Sequence, residues 1–104
     1  MAERITVAKI SDIPRNEARA FPVGDRMIAI FNEAGKYHAM DDFCPHMGAS
    51  LAGGWIESGT VVCPWHAWRF SLIDGCWLDN PKIKADIFEV FVVGDEIQIE
   101  MNDE

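Results

Sequence analysis

The sequence predicts an all-β protein, a small antiparallel β-sandwich or barrel interrupted by an inserted subdomain of two loops. Three observations predict it: apolar residues come in short runs punctuated by turn residues, three pairs of runs read as hairpins, and helix signals are weak throughout. The first strand is carried by Ile5 and Val7, with Ile10 extending the alternation. Met27 to Phe31 is a compact apolar run that turns through Glu33-Ala34-Gly35-Lys36 into Tyr37 to Met40, the first hairpin. Phe43 to His66 is different, rich in Gly, Pro, Cys, His and Trp, with Thr60 to Cys63 its only clear strand. Trp68 to Leu72, the turn pair Asp74-Gly75 and Cys76-Trp77-Leu78 make the second hairpin. Phe88 to Val93, the turn Gly94-Asp95, and Ile97 and Ile99 alternating with Gln98 and Glu100 make the third.

At 104 residues the chain is expected to form one domain over 1–104, with the insertion at about 43–68. A composition of 49% apolar and 25% charged residues belongs to folded rather than disordered chains. A formal charge of -8 repels polyanions, which sets aside nucleic acid and anionic membrane as partners. No apolar stretch approaches a bilayer span, and Met1 to Ile10 lacks a signal-peptide layout, so a cytoplasmic protein is expected. Three cysteines, an odd number, fit metal binding or catalysis better than a secreted disulfide scaffold.

The long insertion holds the chemistry. Cys44-Pro45-His46 and Cys63-Pro64-Trp65-His66 give each of two loops one thiol and one imidazole. Any one of these residues alone is commonly a packed thiol or a hydrogen-bonded ring, but four in matched order are what a metal site requires. One tetrahedral zinc would accept all four. Zinc loops are usually chemically uniform, however, whereas mixed loops suit two metal ions, with both cysteines on one and both histidines on the other.

With these residues the sequence resembles the Rieske family of 2Fe-2S proteins, in particular the soluble oxygenase ferredoxins and the small subunit of NADH-dependent nitrite reductases. The resemblance rests on Cys44-Pro45-His46-Met47-Gly48 and Cys63-Pro64-Trp65-His66, supported by Trp68-Arg69-Phe70, Asp74-Gly75 and the closing hairpin. It implies that Cys44 and Cys63 hold the inner iron and His46 and His66 the outer one. Two ferric ions, two sulfides and two thiolates sum to zero charge, so an electron is added more easily than to an all-thiolate cluster. Potentials accordingly rise from about -400 mV to roughly -150 to +300 mV. High-potential members carry a bridging cysteine in each loop and hydroxyls beside the cluster. The corresponding positions here are Ala49, Trp65, Trp68 and Phe70, which implies a potential at the low end. Imidazole ligands also imply a midpoint that falls at alkaline pH. Two positions depart from the family's habit: Ala67 follows His66 where Gly is usual, and Ser71 stands where Asp often follows the aromatic.

What the resemblance implies is an electron-carrier component rather than a stand-alone enzyme, a monomer or weak oligomer passing one electron from a flavin-dependent reductase to a terminal ring-hydroxylating oxygenase. The alternative is the small subunit of a nitrite reductase, partnered by its large subunit; a structural zinc module is the remote rival. Cys76 is expected to be a buried small residue, His38 an ordinary core or surface histidine, and Trp68 and Trp77 interior. Met47 and Trp65, flanking the histidines, are expected to form an apolar rim for docking.

Overall fold

Ile28, Ala29, Ile30 and Phe31 are all fully buried, so the run that reads as continuously apolar is a strand covered on both faces. The computed structural model describes residues 2–43, 50–64 and 67–102. It contains β1 (Ala2–Lys9), β2 (Ala18–Val23), β3 (Arg26–Glu33), β4 (Lys36–Asp41), β5 (Trp55–Glu57), β6 (Thr60–Val62), β7 (Arg69–Ser71), β8 (Cys76–Trp77), β9 (Asn80–Lys84), β10 (Ile87–Val93) and β11 (Glu96–Asn102). Every strand pairing is antiparallel. One sheet runs β1-β11-β10-β4-β3-β2 and the second β5-β6-β7-β8-β9. The edges β1 and β2 of the larger sheet approach each other, curling it toward a barrel.

Alternation along β3 and β4 divides the core in two. Ala29, Phe31 and Met40 pack with Leu51, Val61, Cys63, Phe70, Leu72 and Ala85, joining the second sheet to the first. Ile28, Ile30 and Ala39 point the other way, onto Ala8, Ile13, Val23, Ile97 and Ile99 inside the curl. The buried Asn32 ties the first connection to this frame: its Nδ2 donates to the Ile13 carbonyl at 2.9 Å and its Oδ1 accepts from the Gly35 amide at 2.8 Å.

All three expected hairpins form, as β3/β4, β7/β8 and β10/β11. Ala34 and Gly35 both have positive φ, the requirement of a type I′ two-residue turn. Three strands escape the sequence reading. β2 contains Pro22, which an edge strand tolerates; β9 is the polar edge segment Asn80–Lys84; and β5 is only three residues long. Ile10 does not continue β1 but opens a 3-10 turn, Ile10–Asp12, and the expected strand over Thr60 to Cys63 ends at Val62.

Candidate metal centre

Of the four candidate ligands, Cys63 is described; Cys44, His46 and His66 lie outside the described residues, as do Met47, Ala49 and Trp65. What the fold shows is how the segments carrying them are held. β4 leads through Asp42 and Phe43 to Cys44, and after 44–49 the chain returns to an isolated antiparallel bridge between Phe43 and Ser50. The buried Asp42 holds the returning limb at two points. Its carbonyl accepts from the Leu51 amide and its Oδ1 from the Ala52 amide, both at 2.8 Å, while its own amide donates to the Met27 carbonyl at 2.9 Å. Leu51 then fills the core, so the limb is anchored by packing as well.

The second segment is closed in the same way. Val62 pairs with Arg69, and the Cys63 amide donates to the Trp68 carbonyl at 2.7 Å, drawing the ends of 63–68 together. Cys63 is completely buried among the apolar residues that join the sheets. Trp68 stacks on Trp77, and both half-buried rings pack against that cluster. Between the two segments lies Gly54, where an added Cβ would drive into the Val62 carbonyl oxygen and lie 3.3 Å from Pro64 Cδ. The returning limb of the first segment therefore rests directly on the peptide that leads into Cys63.

Other expected residues fall as follows. His38 is largely buried, with Nε2 at 3.1 Å from Glu33 Oε1, an ordinary paired histidine. Cys76 is half-buried rather than buried; its amide donates to Asp74 Oδ1 at 3.0 Å, and desolvation, with the neighbouring Asp74, pushes its thiol pKa up. Such a thiol is less reactive, in keeping with a packing role. Trp55 stands half out of the surface with its Nε1 donating to Glu57 Oε2 at 3.2 Å. Among the described residues no three His, Cys, Asp or Glu side chains converge on a common point.

Sequence reasoning missed the holding residues Asp42 and Gly54. An acid two residues before a candidate cysteine and a Gly-Gly pair are too common in sequences to stand out; only their packing gives them meaning.

A buried cysteine at the mouth of one closed segment, with the base of a second closed segment resting on its peptide, fits a centre held from two sides. With the sequence's Cys-x-His and Cys-x-x-His on these two segments, the fold suits a small iron–sulfur protein. The Rieske [2Fe-2S] domain family matches residues 3–97, and the chain belongs to that family.

Among relatives, the chain is 35% identical over 100 residues to the 3-phenylpropionate/cinnamic acid dioxygenase ferredoxin subunit of Escherichia coli K12, covering 94% of this chain and 93% of that one. It is 30% identical over 98 residues to the ferredoxin component of the alkene monooxygenase system of Xanthobacter autotrophicus, covering 93% and 80%. Among solved structures, a chain of the complex of reduced oxygenase and oxidized ferredoxin in carbazole 1,9a-dioxygenase aligns with a TM-score of 0.81 at 26% identity, covering 92% of this chain and 91% of that one. A Mycobacterium tuberculosis chain assigned as the small subunit of an NADH-dependent nitrite reductase aligns with a TM-score of 0.90 at 20% identity, covering 100% and 99%. The cofactor of this family is a Rieske-type [2Fe-2S] cluster, and the chain is an electron-transfer protein of that kind, working with redox partners. No helix among the described residues is long and apolar enough to cross a membrane.

Proposed function

We propose that Cys44, His46, Cys63 and His66 hold the cluster, the cysteines on one iron and the histidines on the other, within an insertion spanning about 43–68 of a single domain. The chain then carries one electron from a flavin-dependent reductase to a terminal ring-hydroxylating oxygenase. The observation that carries this reading is the meeting of the two segments at Gly54 and Val62, each segment having one cysteine and one histidine in its sequence. When bound, the cluster supplies one-electron redox chemistry. The chain's own part is to bury Cys63, fix both segments at their bases and set the charge around them. The oxygenase partnership is supported by relatives at 30% and 35% identity that are ferredoxin components of oxygenase systems. The nitrite reductase subunit, at 20% identity, supports the shared fold alone. A reducing cytoplasm suits the odd number of cysteines, and the acidic surface suits a basic partner face.

The test is iron, sulfide and zinc analysis of anaerobically purified protein, with EPR after reduction. Two irons, two sulfides and a mean g below that of all-cysteine clusters are expected. Both Cys63→Ser and His66→Ala should lose the signal. A colourless zinc-loaded protein that resists cluster reconstitution would overturn the reading. Partnership is tested by electron delivery from a flavin reductase to an oxygenase, against co-purification with a nitrite reductase large subunit.

A further inference from the structure

The limb Ser50–Gly54 is a short strap. It is hydrogen-bonded to Asp42 at one end and internally closed by the Gly53 amide on the Ser50 carbonyl at 3.1 Å and the Gly54 amide on the Leu51 carbonyl at 3.0 Å. Its far end is Gly54, seated on the Val62 carbonyl, the peptide group that joins Val62 to Cys63. A side chain at 54 meets backbone: the Val62 carbonyl oxygen first, then the Val62 carbonyl carbon at 3.0 Å, with Pro64 Cδ at 3.3 Å. No rotamer change relieves a clash with a peptide group.

Neither side of this contact has room to retreat. The Cys63 peptide is held by its amide on the Trp68 carbonyl at 2.7 Å, and Val61, Val62 and Cys63 are fully buried. The strap is held by the buried Leu51 and by Asp42. Gly54 has a negative φ of -86°, so left-handed backbone does not explain a glycine here; closeness does. The adjacent Gly53 is the internal contrast, since a Cβ there meets only Ser50 side-chain atoms, at 3.9 Å.

We infer that Gly54 is a positioning residue that sets the spacing between the two ligand-bearing segments, and through it the geometry imposed on the metal centre. The inference rests on the proposed ligand set, because the spacing matters to the cluster only if both segments bind it. Opening the Gly54 contact moves the Val62–Cys63 peptide and its thiolate relative to Cys44 and His46. The nearest atoms to a side chain at 54 belong to the last peptide of β6 and to Pro64, beside Cys63, so it perturbs the centre before it unfolds the sheets.

The experiment compares holoprotein carrying Gly54→Ala with Gly53→Ala and wild type, reading reduced-state g values, reduction midpoint, rate of cluster loss and far-UV CD. For Gly54→Ala we expect a native CD spectrum, shifted g values and midpoint, and cluster loss on the order of tenfold faster. Gly53→Ala should match wild type. Asp42→Ala and Asp42→Asn act on the strap's other end and decide the matter if Gly54→Ala does not fold. Alanine frees the Ala52 amide and should shift the g values, whereas asparagine keeps an acceptor there and should restore them. Wild-type g values and cluster lifetime in both Gly54→Ala and Asp42→Ala would overturn the inference while leaving the ligand assignment intact. A wild-type protein without a Rieske signal would instead overturn the assignment on which it rests.

Discussion

Trp68 and Trp77 stack face to face, with ring centroids 3.5 Å apart and planes 2° from parallel. They come from opposite sides of the β7/β8 hairpin, and both lie against the core residues around Cys63. Because the Trp68 carbonyl accepts from the Cys63 amide, the stack braces the backbone that closes the second segment bearing candidate ligands.

Trp77→Ala removes one face of the stack and should cost about 2 kcal/mol, less than a fully buried tryptophan because the ring is only half-buried. A double-mutant cycle with Trp68→Ala should return a coupling of about 1 kcal/mol. Trp55→Ala, on the solvent side, should stay within about 0.5 kcal/mol of wild type. Urea unfolding of the holoprotein measures all three. Equal costs at Trp55 and Trp77 would show that the stack contributes nothing beyond local burial.

Ala67 has φ +58°, the left-handed region that favours glycine. An L residue there costs roughly 1–2 kcal/mol, against which glycine gives back about 0.5–1 kcal/mol in unfolded-state entropy. Ala67→Gly should therefore raise stability by about 0.5–1 kcal/mol, which calorimetry would register as a shift of several degrees in Tm. An unchanged or lower Tm would mean that the alanine methyl makes a compensating contact.

That position also shows what the sequence could and could not disclose. Its departure from the family's glycine was visible, but the reason was not, since a backbone angle is a property of the turn and not of the residue's type. The hairpins were legible because their turn pairs and apolar alternation are local. β2, β5 and β9 were not, because each is an edge or very short strand fixed by its neighbours: Pro22 faces Met27, and Trp55 faces Val62. The four candidate ligands were legible as a pattern of donors. Asp42 and Gly54, which hold the segments that bear them, are ordinary residues until the chain brings Ala52 and Val62 against them.

Stability should fall in acid. The Arg69 guanidinium, 2.8 Å from Glu57 Oε1, and the Trp55 indole hold the Glu57 pKa below its ordinary 4.5. The Cys76 amide does the same for Asp74, whose ordinary value is 3.8. Both groups bind protons more weakly in the fold than in the unfolded chain. Their contributions are therefore complete above those ordinary values and are lost as the pH falls through the depressed folded ones. Urea midpoints taken from neutral pH down through this range should decline less steeply in Glu57→Gln and Asp74→Asn. Salt should weaken the Glu57 contribution more, because its main partner is an exposed cation whereas that of Asp74 is a backbone amide. Identical acid profiles in the variants and wild type would place the acid-labile interactions elsewhere.

Removal of the cluster should loosen one half of the core and spare the other. Ile28, Ile30, Ala39, Ile97 and Ile99 pack together inside the curled sheet, whereas Cys63, the described candidate ligand, is a member of the other group with Leu51, Val61 and Phe70. The metal is expected to stabilise the state in which its ligands are gathered, so its loss falls first on the segments that gather them. In hydrogen exchange of the chelator-treated protein, amides at Leu51, Ala52, Gly54 and Cys63, all donors to the loop-closing bonds, should lose protection by orders of magnitude. Those of β3, β10 and β11 should keep most of theirs. Val61 and Phe70, paired across β6 and β7, should lie between, because their strands persist while the group they pack against opens. A uniform loss across both sheets would instead show that the cluster and the curled sheet unfold as one cooperative unit, with the strap and the core equally dependent on bound iron.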